Sequence, residues 1–330
     1  MTDSTQGSTT GALAEAKVHS RFGPKAAKLL NKVDRKLYQI SARQGRAHLL
    51  YLVEARLYAW LCRQAWFQSR YQAHEVRQIQ RFLDETAILK LNPALNAKQV
   101  IQQALLGNYL RWRWRQRFNS AQSPITTLFT VQGQEILEAA VQQKKGVILT
   151  FAHSYAVYLV RHWLLASRQE PEVTILNASN AAHSMGVPFS PATSHLIHTR
   201  QLYQAKECLQ RNGIVSIAAD GLDGHKTLVL PLYQYPYPFR TTFARLALRT
   251  GAVVLPVSAR LDLHGRVGLI FHSALHPGAD EEPRQQRMEQ LIKQYAAFLH
   301  AEWAASPGNI PSRFMERHLL GLPQLDEIAV

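Results

Sequence analysis

The sequence predicts an α/β fold: a mostly parallel central sheet flanked by helices, with a helical N-terminal extension. Two observations carry this. Residues 24–118 follow a helical apolar rhythm without a β-rich run, whereas beyond residue 123 short apolar runs alternate with helix-compatible segments. A hydrophobic fraction of 46% over 330 residues is enough for a substantial core. The organisation expected is a polar tail over 1–20, a helical region over 21–122 and an α/β acyltransferase-like core over 123–330.

In chain order, the tail is rich in Ser, Thr and Gly and lacks the apolar core of a signal peptide, so it reads as disordered. From His48 to Phe67, Leu49, Leu52, Val53, Leu57, Trp60 and Leu61 recur at helical spacing. Glu54, Arg56 and Arg63 interrupt the stretch, and a spanning helix needs roughly 20 mostly apolar residues, so it is not expected to cross a bilayer. It reads either as a helix packed on the domain or, as the minor alternative, as an interfacial membrane helix. Asn92, Pro93 and Asn96 break the pattern before a helix starting near Ala97. The strand candidates are Gly146 to Phe151, Val173 to Leu176, Ile214 to Ala219, Thr227 to Leu232, Val253 to Val257 and Val267 to Phe271. Continuous apolar runs of this length suit strands buried on both faces. A last helix is expected from the acidic start at Asp280 to about Trp303.

Lys and Arg outnumber Asp and Glu by 38 to 23, a net charge of +15, which points to an anionic partner: nucleic acid, an anionic lipid surface or an acidic carrier protein. The two cysteines, Cys62 and Cys208, are far apart with no metal-ligand spacing around them, so neither a disulfide framework nor a metal site is expected. A reducing, cytoplasmic setting follows, with peripheral contact on the inner face of a membrane compatible with the charge.

Several apparent motifs fail. Gly221 to Thr227 resembles a phosphate loop but has the wrong glycine spacing and a His between Gly224 and Lys226. The arginine and tryptophan run from Arg111 to Phe118 could stack bases, but at the end of a long helix Trp114 and Phe118 can pack inward while arginines complement the negative helix terminus, which argues against nucleic acid. The informative segment is Lys145 to Tyr158, an apolar strand that ends abruptly at His153. Ligands sit at the carboxyl ends of strands in α/β sheets, and a histidine there can accept a proton from an attacking hydroxyl or amine.

From Val131 to Pro277 the chain resembles the lipid A biosynthesis branch of the lysophospholipid acyltransferase superfamily. The likeness rests on Val131, Gly133, Glu135 and Leu137 followed by Gly146-Val-Ile-Leu149 and Ala152-His153; on Gly213 to Gly224 with Asp220 and Asp223; on Leu228 to Tyr233 with Thr241-Thr242; and on Leu246 to Val257. The resemblance implies acyl transfer from a thioester on acyl carrier protein or coenzyme A to a hydroxyl or amine of a lipid or specialised metabolite. His153 would act as general base, and no further cofactor is implied. The family's acid, expected five residues after the histidine, is replaced here by Tyr158. Three explanations follow: Tyr158, Asp220 or Asp223 orients His153; the acceptor needs only a weaker base; or the chain is a non-catalytic relative that binds a lipid or acyl carrier. Tyr155, Lys226 and Arg240 are the substrate-binding candidates, the two basic residues for the phosphate of a carrier arm or acceptor, with Arg240 or backbone amides placed to stabilise an oxyanion. His183, His195 and His198 read as ordinary polar residues.

Overall fold

The computed structural model describes residues 47–117, 125–167, 173–175, 191–220 and 227–319. The tail over 1–20, Phe118, His183, Asp223 and Lys226 lie outside the described residues, as do the side chains of Tyr158, His195 and His198.

The helical half consists of α1 (Ala47–Arg63), α2 (Ala65–Tyr71), α3 (Ala73–Thr86), the single turn α4 (Ile88–Leu91) and the long α5 (Ala97–Arg117). Next come β1 (Phe129–Gln132), α6 (Gln134–Gln142), β2 (Val147–Phe151), α7 (Val157–Ser167), β3 (Val173–Ile175), α8 (Pro191–Gln210) and β4 (Ile214–Ala218). The hairpin strands β5 (Thr227–Leu232) and β6 (Tyr235–Arg240) precede α9 (Thr242–Thr250), β7 (Val253–Leu261) and β8 (Val267–Phe271). The chain then runs through α10 (Arg284–Ala305), a 3₁₀ turn at Pro307–Asn309 and α11 (Ser312–Leu319).

The central sheet has the order β1-β8-β7-β2-β4-β3, with every pairing parallel except β7 with β8. β2 lies between β7 and β4, Phe151 level with Val257 and Ala218, and is buried at every position. Successive side chains of a strand point to opposite faces, so β2 supplies both layers of the core. Ile148 joins Val215, Ile217 and Val254 under α3, α8, α9 and α10, while Val147, Leu149 and Phe151 join Leu255 and Val257 under α1, α5, α6 and α7. Both hydrophobic clusters therefore run from the helical half into the sheet. Entry into β2 depends on Gly146, whose φ of 74° is left-handed and whose missing Cβ would lie 2.5 Å from the carbonyl oxygen of Leu209.

The structure corrects three readings. Thr227–Leu232 is not part of the parallel sheet; it pairs with Tyr235–Arg240, antiparallel, and Arg240 closes that second strand. Pro231, Pro236 and Pro238 lack the N–H that a central strand needs, which fits a separate hairpin. Leu49, Val53, Leu57 and Trp60 do not pack on the domain; each is more than half exposed, and α1 buries the other side, Tyr51, Ala55, Ala59 and Cys62. Finally, Arg113 does not serve the helix terminus alone: it is buried and its Nε donates to Glu54 at 2.6 Å. Trp114 packs inward as expected.

Candidate functional site

The site lies beyond the carboxyl ends of β2, β4 and β7. Past Phe151 the strand gives way to an irregular stretch, and α7 starts only at Val157. His153 occupies this stretch. Its neighbours are held by backbone bonds: Ser154 Oγ donates to the Ala259 carbonyl at 2.8 Å and the Tyr155 amide donates to the Asn309 carbonyl at 3.1 Å. On the strand side, the Phe151 carbonyl accepts a 2.7 Å bond from the hydroxyl of buried Tyr295.

Two residues past the end of β4 stands Asp220, fully buried. Its Oδ2 accepts the backbone N–H of His153 at 2.7 Å, and its Oδ1 meets His153 Nδ1 at 2.5 Å. One carboxylate thus grips both the main chain and the ring of the same residue. An ionised carboxylate can only accept, so in the neutral ring this pairing puts the proton on Nδ1 and the lone pair on Nε2. The His153 side chain is 24% exposed, against 0% for that of Asp220, which leaves the imidazole in reach of a ligand while its partner stays dry.

The surroundings hold Asp220 from the other side. The hydroxyl of Tyr237 donates to its carbonyl oxygen at 2.8 Å. Burial first, and the charge of Asp220 second, push the hydroxyls of Tyr237 and Tyr295 well above the usual phenol range, so both remain donors. The ring of Phe314, from α11, stacks on the imidazole with centroids 4.3 Å apart and planes at 26°.

Of the residues singled out in the sequence, the structure brings together His153 and Asp220. Arg240 is nearby through its backbone, whose N–H donates to the Ala219 carbonyl at 3.0 Å, and its positive charge acts on Tyr237. Tyr155 is turned into the core: it is 2% exposed, its ring lies where a Cβ on Gly107 would come within 2.3 Å, and its hydroxyl accepts the Ser312 N–H at 3.2 Å. Tyr158 is on α7, one turn beyond His153. Sequence reasoning missed Tyr237, Tyr295, Asn309 and Phe314, which carry no motif; only the aromatic density of Tyr235 to Phe239 hinted at the first.

This strand-end histidine beside a buried acid lies within the part of the chain that compares with known proteins. A family model described as bacterial lipid A biosynthesis acyltransferase matches residues 98–304, which takes in the whole sheet, His153 and Asp220. A comparison with curated proteins gives no match. The match spans well over half of the 330 residues, and the chain belongs to the bacterial lipid A biosynthesis acyltransferase family.

Proposed function

We propose that the protein transfers an acyl group from a thioester donor, acyl carrier protein or coenzyme A, to a hydroxyl or amine acceptor on a lipid or specialised metabolite. The observation that carries this reading is the His153–Asp220 pair, an imidazole oriented by a buried carboxylate and 24% exposed at the end of the sheet. Nε2 takes the proton of the acceptor as its oxygen or nitrogen attacks the thioester carbonyl. Asp220 stabilises the imidazolium that forms, and collapse of the tetrahedral intermediate breaks the C–S bond, His153 returning the proton to the departing thiolate. Arg240 or backbone amides near the strand ends stabilise the oxyanion.

A lipid acceptor also fits the placement of α1. The hydroxyl of Tyr51 donates to the carbonyl of Gly265 at 2.7 Å, in the turn that follows β7, so α1 borders the same end of the sheet as His153. Its outer face carries Leu49, Leu50, Val53, Leu57 and Trp60 beside Arg56 and Arg63, the mixture that suits an anionic membrane surface. Among the described residues no helix is long and apolar enough to cross a membrane, so the contact proposed is peripheral, on the cytoplasmic side.

The test is a panel of acyl carrier and coenzyme A thioesters incubated with the protein and a lipid extract, products being identified by mass. Acylated product is expected with the unaltered chain and none above background with His153→Ala. Turnover that survives His153→Ala removes the base mechanism; donor binding without any turnover in either protein supports a non-catalytic carrier or lipid-binding role instead.

A further inference from the structure

The residues matched by the family model end at 304, but the chain continues across the site. Asn309 pins the end of β7: its Oδ1 accepts the Leu261 N–H at 2.7 Å and its Nδ2 donates to the Leu261 carbonyl at 3.2 Å. The same residue accepts the Tyr155 N–H, and the Tyr155 hydroxyl in turn accepts the first amide of α11, that of Ser312. The segment is therefore tied to β7 and, twice, to the stretch that carries His153. At the far end of α11, buried His318 sits among Phe82, Tyr235, Tyr237 and Trp303, with ring centroids 5.0 to 5.8 Å away. Tyr237 is the residue that donates to Asp220. One short helix thus braces both members of the pair.

We infer that Pro307–Leu319 is a positioning element of the site and that Phe314 is the residue through which it acts on His153. The inference rests on the reading of His153 as general base. A ring stacked face to face restricts rotation of the imidazole about its side-chain bonds, and the His153 side chain stays 24% exposed. Asp220, from the end of β4, holds the imidazole; Tyr237, from β6, donates to the Asp220 carbonyl, Tyr295, from α10, feels the Asp220 charge, and Arg240 and Arg317 act on Tyr237. The Arg313 guanidinium carbon lies 5.0 Å from the Phe314 centroid.

The experiment is ¹H and ¹⁵N NMR of the full chain labelled with ¹⁵N-histidine, the His153 signals being assigned with His153→Gln. Phe314→Leu keeps an apolar side chain and removes the ring. It is expected to broaden the downfield proton of Nδ1, with the sharp signal restored in Phe314→Tyr. Met315→Ala removes a buried side chain of the same helix without removing the ring, and is expected to leave the Nδ1 proton unchanged. An unchanged Nδ1 proton in Phe314→Leu, or the same broadening in Met315→Ala, overturns the inference. No substrate enters this measurement, so its outcome is independent of whether His153→Ala abolishes acyl transfer.

Discussion

At the scale of single residues, Tyr158 stands where the resemblance expects an acid, and the structure puts a different carboxylate, Asp220, beside His153. Asp220 reaches His153 from the neighbouring strand instead of from the following helix, and both of its oxygens are engaged. This makes an amide substitution informative. In Asp220→Asn the backbone N–H of His153 still needs an acceptor, so the amide oxygen takes that position and the NH₂ faces Nδ1. The ring must then carry its proton on Nε2, where it blocks the base. A comparable tautomer inversion in a serine protease triad costs about 10⁴-fold in kcat, and a loss of roughly 10³- to 10⁴-fold is expected here, with thioester binding retained. Tyr158→Phe is expected to stay within about threefold, the scale of a neutral hydrogen bond or less. Steady-state rates of the two variants decide the matter: if Tyr158→Phe falls as far as Asp220→Asn, the hydroxyl of Tyr158 is the orienting group.

At the scale of elements, the periodicity of α1 announced a helix but pointed to the wrong buried side, because the helix is apolar on two sides. Small and aromatic residues, Tyr51, Ala55, Ala59 and Cys62, meet the protein, and the larger aliphatic side chains and Trp60 face outward. That choice is made by the shape of the partner surface: a Cβ on Gly265 would lie 2.5 Å from the Cβ of Ala55, an approach too close for a leucine. The same limit explains what else the sequence told. β2, β4 and β8 were legible as continuous apolar runs, and His153 was legible because its strand stops there. β1, with alternate residues exposed, and α11, eight residues long, gave no comparable signal, so the contacts of Phe314 and Asn309 were invisible. Asp220 could be named as a candidate, but its pairing with His153 depends on β2 and β4 being neighbours, which is a tertiary fact. The outer face of α1 leads to a prediction at this scale. Leu57→Glu with Trp60→Glu in the full chain is expected to weaken co-sedimentation with phosphatidylethanolamine–phosphatidylglycerol vesicles at least tenfold, since burying each of these side chains contributes about 1.5–3 kcal/mol. Undiminished sedimentation shows that another surface meets the lipid, and a doubled mass in solution that is lost in the variant assigns the ridge to a second copy of the chain.

At the scale of the whole molecule, the fold couples the helical half, the sheet and the C-terminal helix through shared hydrophobic clusters, and this coupling gives stability a pH dependence. Burial lowers the His318 pKa from 6.5 to about 4, and desolvation also lowers that of His272. His318 lies in the cluster that joins Phe82 of α3, Tyr237 of β6 and Trp303 of α10, so its charging opposes the packing of three elements at once. The sign follows from where the proton goes. Above pH 6.5 both folded and unfolded chains hold a neutral ring and nothing is lost. As the pH falls below 6.5 the unfolded chain takes up a proton that the folded chain refuses, so unfolding gains until about pH 4, where the folded ring is charged as well. Across that window the loss reaches about 3 kcal/mol from this one residue, at roughly 1.4 kcal/mol for each pH unit crossed. Thermal melts from pH 7.5 to 4.5 are therefore expected to fall more steeply for the natural chain than for His318→Phe, which fills the aromatic cage without a titratable group. A midpoint temperature that declines in parallel for the two proteins places the acid sensitivity elsewhere, with His272 the next residue to replace.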